Sequence, residues 1–207
     1  MALHNYAADV LGSKTSVRVL RVLWRYRGKV FTVRELSVAA GVSHPQASAV
    51  LKELERRGVV RLQPVGRAYQ VSLNEDSYIV RSIIEPIFSA ENETMSSMIS
   101  SIRPFFDHPR ILSAAIFGSV ARGEEGATSD VDLLIVTEDR GLANERAAGA
   151  MEAVLPRFGH GLSPLILPKE RFIRDRDGEL AKSILGSYAM VCGEDLKELV
   201  QSGKTGR

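Results

Sequence analysis

The chain has 207 residues, 44% hydrophobic and 25% charged, with 27 Lys+Arg against 25 Asp+Glu, the make-up of an ordinary water-facing protein of one large or two small domains. No apolar run nears the ~20 residues that span a bilayer, the first residues lack a secretion-signal pattern, and a single cysteine, Cys192, excludes an internal disulfide or a cysteine metal cluster. The expectation is a cytoplasmic protein with no membrane contact.

The net charge of +2 conceals a division. Residues 1–75 hold 12 Lys+Arg against 5 Asp+Glu, and the remainder holds 15 against 20. A basic first third beside an acidic remainder suits a nucleic-acid-facing domain joined to something else.

Val17, Leu20, Leu23 and Trp24 recur at helical spacing with Arg18, Arg21 and Arg25 between them, and Gly28 ends the helix. Thr32-Val33-Arg34-Glu35 has the form of a capping box and opens a short helix closed by Gly41. Ser43-His44-Pro45-Gln46 makes a second such start, and the helix after it carries Ala47, Val50, Leu51 and Leu54 on one face. Its other face carries Pro45, Ser48, Ala49, Lys52 and Arg56, and Gly58 supplies the stop. Residues 59–63 and 68–73 are strand-like, with turn composition at 64–67.

Helix, short helix, capped helix and hairpin follow in the order of a winged helix-turn-helix. The stretch FTVRELSVAAGVSHPQASAVLKELERRGVVRLQPVGRAYQVS resembles the winged-helix domains of transcription regulators of the broad ArsR/MarR type. The resemblance implies a recognition helix over 43–57, a wing tip at Gly66-Arg67, and double-stranded DNA as partner. Short polar groups for base edges would come from Ser43, His44, Gln46 and Ser48, and cations for phosphates from Lys52, Arg56, Arg61 and Arg67. Gln46 and His44 could equally be first-turn caps, and winged helices also serve as protein-interaction modules.

From 76 to 104 two apolar stripes run at helical spacing. One is Ile79, Val80, Ile83, Ile84, Ile87 and Phe88, interrupted by Pro86; the other is Met95, Met98, Ile99 and Ile102. They are either a signal-transmitting or dimerising connector, or core of the two neighbouring domains.

Residues 111–117 read as a buried strand running into Gly118-Ser119-Val120-Ala121-Arg122-Gly123. Asp130-Val131-Asp132 then leads into the apolar run Leu133-Leu134-Ile135-Val136. Residues two apart in a strand share a face, so Asp130 and Asp132 project together. Paired carboxylates repel without a cation; their hard oxygens suit Mg²⁺, or Mn²⁺ in its place, with substrate phosphates completing the shell. Gly118 lets a phosphate approach the backbone, the Ser119 hydroxyl can donate to it, and Arg122 is either a further phosphate partner or a surface residue.

The stretch IFGSVARGEEGATSDVDLLIV resembles the signature of the DNA polymerase beta superfamily of nucleotidyltransferases, in its minimal prokaryotic form. That resemblance spans roughly 105–199 and implies transfer of a nucleoside monophosphate, AMP or another, from a nucleoside triphosphate to an acceptor hydroxyl. Asp130 and Asp132 would be catalytic and hold the metal, while Gly118, Ser119 and Arg122 bind the phosphates. A third carboxylate from a later strand is usual in the superfamily, and here Ser163 stands in its place, with Pro164 marking a sheet edge. Glu170, Asp175 and Asp177 fall beyond that strand, His160 reads as a loop residue, and Cys192 as buried sulfur.

The expected fold class is α+β, with a winged-helix DNA-binding domain at 1–75, a helical connector at 76–104 and a nucleotidyltransferase-like domain with a small mixed sheet at 105–207. A helix over 144–155 would join the strand of Asp132 to that of Leu165, and the tail QSGKTGR would be loose. The expected function is a DNA-binding Mg²⁺-dependent nucleotidyltransferase. The alternatives are a transcription regulator whose second domain only senses nucleotide, and an antitoxin-like enzyme paired with a separate toxin-like protein. A homodimer is a further expected assembly.

Overall fold

The structure is a computed structural model, which describes residues 5–66, 68–124, 126 and 129–202. The chain divides into two compact units, Met1–Glu93 and Thr94–Arg207. The division falls inside the span read as a connector.

The first unit begins with a helix the sequence reading did not anticipate, α1 (Tyr6–Leu11). The Ser13 hydroxyl then caps α2 (Lys14–Arg25) by accepting from the Ser16 N–H at 3.0 Å, and Val19, Leu20 and Leu23 are buried. A two-residue strand, β1 (Phe31–Thr32), precedes α3 (Val33–Ala39). Thr32 and Glu35 form the expected capping box, and Ser43 and Gln46 form another at the start of α4 (His44–Arg56). β2 (Val60–Val65) and β3 (Ala68–Leu73) pair antiparallel in a sheet of order β1-β3-β2. The hairpin differs from expectation: Pro64 and Val65 belong to β2, opposite Tyr69 and Ala68, and of the residues expected in the turn only Gly66 is described there. Proline is tolerated there because β2 is an edge strand, whose outer N–H groups need no partner.

The two apolar stripes of the presumed connector lie on one continuous path, a π-helical turn at Val80–Ile84 followed by α5 (Glu85–Phe106). The widened turn comes just before Pro86, which has no N–H to continue the ladder. Ile79, Val80, Ile84 and Phe88 are buried in the core of the first unit, whereas Met98, Ile102 and Phe106 are buried in the second. The stripes are thus core of two different units, the plainer of the two readings.

The second unit is built on a four-stranded mixed sheet of order β6-β5-β4-β7. β4 (Ile111–Phe117) lies antiparallel to both β5 (Val131–Thr137) and β7 (Ala189–Gly193), while β6 (Leu162–Leu167) runs parallel to β5. Between β4 and β5 stands the short α6 (Gly118–Arg122). The parallel pair requires a crossover, supplied by α7 (Arg140–Phe158). This helix exceeds the expected 144–155 at both ends: Asp139 caps it through the Leu142 N–H at 3.0 Å, and Pro156 sits in its last turn. Ala143, Ala147, Ala150 and Val154 form its buried stripe against one face of the sheet, together with α5. The other face is covered by Phe172 of α8 (Lys169–Arg174), Ile184 of α9 (Glu179–Gly186) and Leu196 and Leu199 of α10 (Leu196–Ser202). Gln201 and Ser202 of the tail expected to be loose are helical, and the rest of that tail lies outside the described residues.

Candidate functional site

At the end of β4 the chain turns sharply. Phe117 is paired with Asp132 of β5, and Gly118 follows with φ +76°, a conformation that side-chain-bearing residues rarely adopt. A Cβ at Gly118 would come within 2.1 Å of an Asp132 carboxylate oxygen. The glycine therefore serves the backbone bend and also makes room for this carboxylate. Along β5, Leu134 and Val136 belong to the core under α8–α10, so strand alternation sends Asp132 to that same sheet face, beyond the apolar residues. It is half-buried there.

Asp130 lies one residue before β5 and is exposed. Its carboxylate borders Gly161, where a Cβ would approach to 2.6 Å, and the Val131 N–H donates to the Gly161 carbonyl at 2.8 Å. His160 Nδ1 lies 2.9 Å from the Ser129 carbonyl oxygen, a contact that requires this nitrogen to carry the hydrogen. Just ahead of β6, Gly161 thus borders Asp130 and His160 holds the preceding Ser129; the sequence reading took His160 only as a loop residue, and the histidine-glycine pair ahead of a strand was the available signal. Ser163 is paired directly with Asp132, and Pro164 lies on the sheet's edge strand.

Ser119 is half-buried in the first turn of α6, and its carbonyl accepts from the Glu124 N–H at 2.9 Å. Arg122 is exposed, and its guanidinium donates to Glu124 at 2.7 Å, so an anion would have to displace that pair. The Ser187 hydroxyl donates to the Ala121 carbonyl at 3.1 Å, tying α6 to the end of α9. Glu170, Asp175 and Asp177 fall on α8 and the turn after it. Among the described residues no group of three or more His, Cys, Asp or Glu is disposed to hold a metal. Asp132 stands against Gly118 and Asp130 against Gly161, and carboxylate oxygens are the donors that suit a hard divalent cation whose other ligands are phosphate oxygens and water. Cys192 is half-buried in β7, and burial pushes its thiol up to about 11, so it stays protonated at neutral pH.

In the first unit, Ser43, His44, Gln46, Lys52 and Arg56 are exposed on α4 and Ser48 is half-buried. Three of them already have structural partners. The Gln46 carbonyl accepts from the Ser43 N–H at 3.2 Å and from the Ser43 hydroxyl at 3.0 Å, leaving its NH₂ group for any ligand. Arg56 is ion-paired with Glu53. Arg61 pairs with Asp76 at 2.7 Å. Arg67 lies outside the described residues.

Residues 99–187 match the family model of the nucleotidyltransferase domain, and residues 13–68 match that of the MarR family. The chain joins a MarR-like winged helix to a nucleotidyltransferase domain. No curated protein is significantly similar to it. Among solved structures, the chain is similar to a toxin–antitoxin structure with AMP-PNP, at 14% identity and a TM-score of 0.37, over 53% of this chain and 83% of that one. A homodimeric winged helix-turn-helix DNA-binding domain from Mycobacterium bovis is 21% identical with a TM-score of 0.35, over 44% of this chain and 83% of that one. Reduced HlyU from Vibrio cholerae is 26% identical with a TM-score of 0.32, over 40% and 84%. At these scores the likenesses say nothing of activity. Among the described residues no helix is long and apolar enough to cross a membrane.

Proposed function

We propose that the nucleotidyltransferase domain transfers a nucleoside monophosphate from a nucleoside triphosphate to an acceptor hydroxyl, and that the winged helix, residues 1–75 in this reading, binds double-stranded DNA. The carrying observation is the glycine bend at the end of β4, shaped around the Asp132 carboxylate: a Cβ at Gly118 would stand 2.1 Å from that oxygen. Asp132 and Asp130 would hold Mg²⁺. When bound, that ion neutralises the triphosphate and the departing pyrophosphate. The protein's own part is positioning. Gly118 admits a phosphate to the backbone, the Ser119 hydroxyl donates to it, and Arg122, released from Glu124, adds a guanidinium.

Incubation with Mg²⁺ and each α-labelled nucleoside triphosphate tests this reading. Label should be transferred to protein, nucleic acid or a small acceptor by the wild type and lost in Asp130→Asn and Asp132→Asn. Persistence of transfer in both variants would sink it.

The register of β6 supports a second reading. Ser163, neutral and paired with Asp132, cannot act as a base near neutral pH or replace a carboxylate as a metal ligand. A domain that binds nucleotide with Mg²⁺ yet transfers nothing would be a sensor coupled to a DNA-binding regulator. Tight binding of labelled triphosphate without transfer distinguishes it. For the DNA arm, Lys52→Ala and Arg56→Ala should each weaken binding across sequences and lower the salt-dependence slope by about 1. Unchanged affinity in the double variant rejects α4 as the phosphate-contacting helix.

A further inference from the structure

Ser163, Leu165 and Leu167 alternate along β6 onto the same sheet face as Asp132, and Leu165 and Leu167 pack with the core under α8–α10. On that face, at the far end of β6 from the carboxylates, lies a cavity of about 230 Å³. Its walls are Leu165, Leu167, Phe172, Leu180, Ala181 and Ile184. Leu180 is 54% exposed although it lines an apolar hollow, so this surface is left uncovered by the fold itself. Ser163 and Leu165, two residues apart, are separated by about 7 Å along the strand. α9 begins at the cavity with Glu179 and Leu180 and ends where the Ser187 hydroxyl donates to the Ala121 carbonyl of α6, the helix that follows Phe117.

We infer that this cavity holds the base of the nucleoside triphosphate whose phosphates lie at Gly118, Asp130 and Asp132. The inference rests on the transferase reading and adds to it a place for the nucleoside. An aromatic base offers two apolar faces to leucine, isoleucine and phenylalanine side chains, and a polar edge that must meet the rim. Three charged residues stand at the rim. Arg171 and Asp175 pair with each other at 3.6 Å, and Glu179 supplies a carboxylate, an acceptor only. Such an acceptor favours a base edge carrying an amino group. Uracil presents its one ring N–H between two carbonyl oxygens, which a carboxylate repels.

Titration calorimetry on the full chain with Mg²⁺ tests the assignment, using non-hydrolysable analogues of ATP and UTP and inorganic tripolyphosphate as the baseless probe. The wild type should bind the ATP analogue about tenfold tighter than tripolyphosphate. Leu180→Gln, neutral and at an exposed position, should lose about fivefold for the ATP analogue while tripolyphosphate binding is unchanged. Glu179→Ala should narrow the gap between ATP and UTP analogues. Tripolyphosphate binding as tightly as the ATP analogue, or Leu180→Gln binding that analogue like the wild type, overturns the base pocket while leaving the transferase reading standing. Failure of every probe to bind the wild type overturns both.

Discussion

The starts of α3 and α4 in the first unit and of α6 in the second are finished in opposite ways. In the winged helix, α3 and α4 begin with reciprocal boxes, Thr32 with Glu35 and Ser43 with Gln46, in which side chains three residues apart satisfy the amides that a helix leaves unpaired. In the nucleotidyltransferase domain, α6 begins directly after β4 with Phe117 at the cap position and no side-chain cap hydrogen bond. What surrounds that start comes from elsewhere in the chain: Asp132 from β5 and, through the Ser187 hydroxyl, the end of α9. Capped starts are self-sufficient and stabilise the fold. The uncapped start is assembled by the sheet and is the one next to the Asp132 carboxylate.

The largest expected effect breaks this comparison if it fails. Gly118→Ala places a methyl against the Asp132 carboxylate in a backbone region unfavourable to alanine. Transfer of label should fall by about 100-fold, because displacement of a reacting group by an ångström costs that much, and stability should fall by about 1–2 kcal/mol. Gly123, five residues on, also has positive φ, at +68°, but a Cβ there would meet nothing within 4 Å. Gly123→Ala should show a similar loss of stability in urea unfolding with transfer largely kept. Equal losses of transfer in the two variants would mean that backbone strain, and not the approach to Asp132, is what Gly118 serves.

The same contrast explains what could be read from the sequence. The boxes at Thr32 and Ser43 are local, so spacing alone revealed them, and with them the order of the winged helix. The pattern from Ile111 to Val136 disclosed the two strands and the acidic pair because alternation and glycine placement are also local. The partners that finish the site are set by strand pairing. That Gly161 lies against Asp130, that Ser163 pairs with Asp132, and that α9 reaches back to α6 depend on the β5–β6 register and on α8–α10, which nothing near Asp130 in the chain encodes. β1 was missed because two residues are too few to show a period. α7 was read short because it opens on Arg140 and Gly141, a charged residue and a glycine ahead of Leu142 and Ala143, and because Pro156 looks like a terminus from sequence alone.

Removing the caps sharpens the contrast at intermediate scale. Thr32→Ala and Ser43→Ala each lose a side-chain acceptor at a helix start and should destabilise the first unit by about 1 kcal/mol. Neither should alter label transfer at a temperature where the chain stays folded. Chemical unfolding with transfer assayed in parallel is the measurement. Reduced transfer in a folded cap variant would show that the two units do not divide stability and chemistry as described.

The smallest expected effect concerns acid. The Thr32 backbone N–H, then its hydroxyl, hold the Glu35 carboxyl below the usual range, and the Leu142 N–H, then Arg110, do the same for Asp139 at the start of α7. A carboxyl whose folded pKa is depressed binds protons more weakly in the folded chain than in the unfolded one. Its contribution is therefore complete above the unfolded pKa of about 4 and is lost as pH falls through the folded value. Glu35 is exposed and Asp139 half-buried beside the exposed Arg110, so the loss is modest in each unit. Side-chain carboxyl titration by NMR should find the two midpoints below those of ordinary Glu and Asp, and Glu35→Gln and Asp139→Asn should each make unfolding less sensitive to pH below about 4. Cap electrostatics of this kind is common to both units, so the two variants should behave alike. If Glu35 shows the depressed midpoint and Asp139 does not, the longer start of α7 at Asp139 is in error, and the crossover that aligns β6 beside Asp132 begins later in the chain.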